Sequence, residues 1–239
     1  MKKQKELLKL PSFNSSQDVV DFLMKPTIYI AETLTGVLSS GLSEYKLSAG
    51  RIVQSAIKAR LLTQLGRELE HYQKKGRIKE DYFATNNAQS SLLELLKFID
   101  SDIPDEEVFK AMKSIFFGVV STDADEAQEH VGYQLLQVCK KLNSMDILVI
   151  RACYQVYLKN DERLSSIKSH GDWSKEVSQR IGFGLPELIG ISDDKLVEMG
   201  ILASRQHGDK SGIRAGREFR LTNLGMKLCE YITAWEDET

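Results

Sequence analysis

The sequence predicts a mainly α-helical protein of two domains: an N-terminal multi-helix domain, then a C-terminal domain containing a two-stranded β-hairpin. Three observations predict it. Along most of the chain, apolar residues recur at steps of three and four, the pattern of a helix with one buried side. Strand-like alternation enters only after residue 200. The composition, 42% hydrophobic and 28% charged over 239 residues, is that of a soluble globular protein with apolar side chain enough for two modest cores.

The elements follow in order. Residues 1–16 read as a basic leader, since MKKQKELLKLPSF has too few apolar residues before Pro11 for a secretory signal. Ser15 and Ser16 are good capping residues for a helix over 18–24, which stops before Pro26. A second helix is expected to about residue 39. The stretch 27–42 is the most apolar, but Glu32, Gly36 and Gly41 leave it short of the roughly 20 apolar residues that cross a bilayer, so no membrane is expected. The longest helix is expected over 48–76, with Ile57, Leu61, Leu65, Leu69 and Tyr72 in one stripe and Gly76 ending it. In 87–99, Leu92, Leu93, Leu95, Leu96 and Phe98 are apolar almost all round, which predicts a central helix. Pro104 suits the first turn of the next helix. Asp105, Glu106 and Glu107 complement its positive end, and Val108, Met112, Ile115 and Val119 form the inner stripe. After a polar link over 121–125 comes a helix with Val131, Leu135, Val138 and Leu142 inward, then Ser144 as the cap of a helix over 145–158. The boundary is placed near Asn143, giving a helical domain over 17–143 and a second domain over 144–239.

The second domain has the most specific pattern. A helix over 172–181 is followed by a segment from Leu185 that ends in LVEMGIL. There Leu196, Val197 and Met199 close a helix, Gly200 permits the turn, and Ile201 and Leu202 begin a strand. Next come a polar tip, RQHGDKSGIRAG, and REFRLT, which alternates Phe219 and Leu221 inward with Glu218 and Arg220 outward. TNLGMKLCEYITAW then starts a closing helix, capped by Thr222 or Asn223, with Leu224, Leu228, Tyr231 and Ile232 packing back. This order resembles the winged helix-turn-helix family, which pairs a helix ending in LxxxGIL with a hairpin ending in LTxxG. The resemblance covers residues 145–235 and implies a winged-helix domain whose wing is the two-stranded hairpin. Over more of the chain, helical segments, an acidic link, the LNSMDILVIRACY helix and such a domain are similar to bacterial proteins associated with abortive infection, the alpha type. That likeness implies a role in a prokaryotic regulatory or phage-defence assembly.

Charge decides what such a domain is expected to bind. The helix before the wing usually enters the DNA major groove. Here 185–199 carries Glu187, Asp193, Asp194 and Glu198 against the single Lys195, and carboxylates facing phosphates lose the counterion-release term. These four acids are candidate protein-partner residues. The wing is the opposite: Arg205, Lys210, Arg214, Arg217 and Arg220, with His207 beside them, face only Asp209 and Glu218 and form a candidate nucleic-acid grip. Residues 1–99 hold 15 basic and 10 acidic groups, and 100–146 hold 4 and 10, a polarity suited to self-association or a charged partner. The net charge of −2 provides no global field for nucleic acid.

No catalytic constellation is recognised. His71, His130, His170 and His207 are scattered, HGDKSG lacks the spacing of a phosphate loop, and GFG at 182–184 lacks the strand of a dinucleotide site. Cys139, Cys153 and Cys229 lie far apart inside helical patterns, as free thiols of a reducing cytoplasm do. The expectation is a cytoplasmic, non-enzymatic binding protein without cofactor or metal. Its partner is a protein or a second copy in a homo-oligomer; DNA binding through the basic wing is the alternative.

Overall fold

Capping chemistry sets where the helices start. In the computed structural model, which describes residues 15–24, 45–101, 104–159, 170–182, 184–203 and 221–235, nine helices make up almost all of the regular structure. The expected leader, the second helix to about residue 39 and the 204–220 tip fall outside the described residues. By contact density the chain forms two units: 1–104 with 115–136, and 105–114 with 137–239.

In the first unit, Ser15 and Asp18 cap α1 (Ser16–Met24) reciprocally: the Asp18 N–H donates to Ser15 Oγ at 3.2 Å and the Ser15 N–H to Asp18 Oδ2 at 3.1 Å. α1 packs Val19, Val20 and Leu23 into the core and lies against α2 (Tyr45–Lys74). Leu61, Leu65, Leu69 and Tyr72 of α2 form the expected buried stripe. Gly76 turns the chain at φ +69°, a conformation that costs a side-chain-bearing residue steric strain. α3 (Asn86–Ile99), capped by Thr85, is more one-sided than its composition suggests. Leu92, Leu95, Leu96 and Ile99 are buried, while Leu93 is exposed and Phe98 half-buried. α5 (Glu126–Cys139) starts on a second reciprocal cap, between Asp125 and Gln128. It turns Leu135 and Leu136 inward, whereas Val131, expected inside, is exposed. Lys79 reaches the buried Glu129 carboxylate at 2.7 Å.

α4 (Glu106–Val119) is the most enclosed element, with Val108, Phe109, Met112, Ile115, Phe116, Phe117 and Val119 all shut off from solvent. Pro104 stands before this helix rather than in its first turn. The cap is Asp105, whose Oδ1 accepts from the Glu107 and Val108 N–H groups at 3.0 and 3.2 Å. Within the first unit, the Tyr72 and Phe117 rings meet edge to face at 5.3 Å.

In the second unit α6 (Ser144–Leu158) is capped by Asn143, not by Ser144. Asn143 and Asp146 form a capping box, and Ser144 gives its N–H and hydroxyl to Asp105 at 2.9 and 2.6 Å. α6 packs against α7 (His170–Arg180), α8 (Pro186–Glu198) and α9 (Asn223–Thr233), and α8 also against α7. Trp173, Val177, Ile189, Leu196, Leu228, Cys229 and Ile232 make the core. From α4, the Ser114 hydroxyl donates to the Tyr231 carbonyl at 2.7 Å.

The expected two-stranded wing is corrected by the structure. Among the described residues there is no β-strand, and between α8 and α9 the β-pairing consists of one antiparallel bridge, Leu202 to Leu221. The reason lies in helix capping. Gly200 leaves α8 at φ +70°, and the Ile201 and Leu202 N–H groups both turn back to the Leu196 carbonyl, at 2.9 and 3.1 Å, so these donors are taken from any ladder. On the other side Thr222 already caps α9, accepting the Gly225 N–H at 3.1 Å while its own N–H donates to the Ile201 carbonyl at 3.1 Å. LVEMGIL and LTNLG therefore join two helices. Gly225 fits because a Cβ there would overlap the Ile201 carbonyl oxygen.

Candidate functional site

The candidate site grows from the way α8 is anchored. Pro186 opens the helix and Gly200 ends it. Between them a step of three or four residues returns to the same side, so Ile189, Ser192, Asp193 and Leu196 form the buried side. The anchor is polar. Asp146, 1% exposed in the first turn of α6, accepts the Ser192 hydroxyl on one oxygen; on the other it accepts Lys195 Nζ at 2.5 Å and the Asn143 N–H at 2.9 Å. A buried carboxylate needs such compensation, because removing a charge from water costs several kcal/mol unless partners replace the solvent.

This network changes the charge on the outer side of α8. Lys195, its only cation, is committed to Asp146. Of the four acids expected to meet a partner, Asp193 is 2% exposed and turned inward, so it drops out. Glu187, Asp194 and Glu198 stay exposed on one side, without an ion pair among the described residues. Ile191, 68% exposed, sits among them. Leu185 and Leu188, 54% and 38% exposed, continue the apolar surface. Sequence reasoning missed these three apolar residues, although the spacing of Glu187, Ile191, Asp194 and Glu198 already put Ile191 on the same helical side as the acids.

Between this side and the first turn of α6 runs an open groove of about 370 Å³, bordered by Asp105, Ser144, Met145, Leu188, Ile191 and Lys195. Burial alone would raise the Asp105 carboxyl, but the Ser144 hydroxyl and the N–H groups of Val108, Ser144 and Glu107 more than offset it and hold it below the usual carboxylate range. Glu107, also in this unit, is treated likewise: burial pushes it up, and Lys110 and Arg151, each at 2.8 Å, pull it down further.

Arg205, His207, Lys210, Arg214, Arg217 and Arg220 lie outside the described residues. Among the cations of the first unit, Lys74 pairs with Glu70, Lys79 with Glu129, and Arg77 lies over the Tyr72 ring at 5.4 Å. All three cysteines are buried and free of disulfides. Burial pushes the Cys139 thiol up to about 12, despite the pull of Arg151, and raises the Cys229 thiol as well, so both are neutral and poorly nucleophilic. Among the described residues no group of three or more His, Cys, Asp and Glu is placed to hold a metal, and no helix is long and apolar enough to cross a membrane. Comparison with protein-family models, with curated proteins and with solved structures finds no match.

Proposed function

We propose that this is a non-enzymatic binding protein of the cytoplasm, whose C-terminal unit engages a protein partner through the outer side of α8. One observation carries the reading: Ile191, 68% exposed, shares the outer side of α8 with Glu187, Asp194 and Glu198, and Leu188 and Leu185 are exposed beside it. Exposed apolar side chains beside charged ones are a usual feature of a protein interface. The same carboxylates argue against this helix lying on phosphates. They also oppose symmetric pairing with a second copy, which would set each acidic side against its own image. The partner is therefore a different chain, and the likeness to abortive-infection proteins suggests a prokaryotic regulatory or phage-defence assembly.

Site-specific photo-crosslinking tests this. A photoreactive residue at position 191 should give a discrete protein adduct in the native cells, and one at the exposed Gln134 of α5 should not. No adduct from 191, or an adduct to nucleic acid alone, would overturn the reading. So would a homodimer that Ile191→Asp dissociates in sedimentation.

A further inference from the structure

Resting on that reading, we propose that the groove between the first turn of α6 and α8 is an anchor pocket for one apolar side chain of a basic amphipathic helix. The floor of the groove is already satisfied: the Asp146 oxygens accept Ser192, Lys195 and the Asn143 N–H, and Asp105 accepts from Ser144 and the start of α4. These hydrogen bonds are made within the protein, so an apolar ligand need not supply them. What lacks cover is apolar, namely Leu188 and Ile191 with half-buried Met145. The open groove of about 370 Å³ has room for a large aliphatic or aromatic side chain.

Charge selects the rest of the partner. Asp105 borders the groove and Glu187, Asp194 and Glu198 flank it, while Lys195 is held by Asp146, so an anionic ligand would meet repulsion and lysines or arginines would meet carboxylates. Such a partner resembles the helix-in-groove mode, with anchors at steps of three and four residues.

The test uses a synthetic 16-residue helical peptide of Lys, Ala and Leu, with leucines at those steps, titrated into the full chain while methyl resonances are followed. Saturable shifts at Met145, Leu188 and Ile191 are expected, lost in Ile191→Asp and weakened by at least about tenfold when the peptide leucines become alanine. Equal binding of the leucine-free peptide would overturn the pocket while leaving the acidic interface standing. Equal binding of a Glu-for-Lys peptide would overturn the charge selection. Shifts confined to other methyls, or no shifts, would overturn the pocket, with adduct formation at position 191 judging the wider reading separately.

Discussion

α4 and α8 are helices of similar length put to different use. From Val108 to Val120, α4 and the residue after it are buried on every side except at Lys110 and Gly118, and even Lys113 and Ser114 are enclosed. α8 buries one side and leaves Ile191 outside with three carboxylates. Every side of α4 serves the fold, whereas the outer side of α8 does nothing for stability that a polar helix would not do equally well. Surplus apolar surface of that kind is where a binding function is to be sought.

The comparison can be broken from either end. Phe109→Ala in α4 should cost about 3–5 kcal/mol of stability, read from the urea midpoint, because a large buried ring leaves a cavity. Asp146→Ala, at the anchor of α8, should cost about 2–3 kcal/mol by stranding Ser192 and Lys195, so loss of binding in this variant would follow loss of position. Gly225→Ala should cost about 1–3 kcal/mol, since the new methyl meets the Ile201 carbonyl and the α8–α9 joint must shift.

Acid should act on the second unit through Asp105 and Glu107. Both carboxyls are held below their ordinary range in the fold, so they stabilise it fully above that range, and the contribution fades as pH falls through and below it. Asp105→Ala should therefore show a smaller acid loss than the wild-type chain in denaturation at neutral and acidic pH. The smallest effect belongs to the outer side of α8: Ile191→Asp should change stability by no more than about 0.5 kcal/mol.

How far the sequence could be read follows the range of the interactions. Local chemistry was legible. Gly76 and Gly200 as helix ends, Thr222 as a cap, and the Val108, Met112, Ile115, Val119 stripe are set within a few residues. Which side of an apolar helix faces in was less so. In α3 and α5 several stripes compete, and packing put Leu93 and Val131 outside. Among the described residues the hairpin was over-read: the Ile201 and Leu202 N–H groups return to α8, and the pairing there is the single Leu202–Leu221 bridge. Likewise, the sequence treats Asp193 and Asp194 alike, while one step around α8 buries the first and exposes the second. The bond from Asp146 to Lys195 spans 49 residues and has no local signature.

The most direct test is the adduct formed from a photoreactive residue at position 187, compared between the wild-type and Ile191→Asp backgrounds at matched protein levels. The outer side of α8 as a protein interface predicts that the adduct forms in the first and disappears in the second. An adduct of equal yield in both would contradict it.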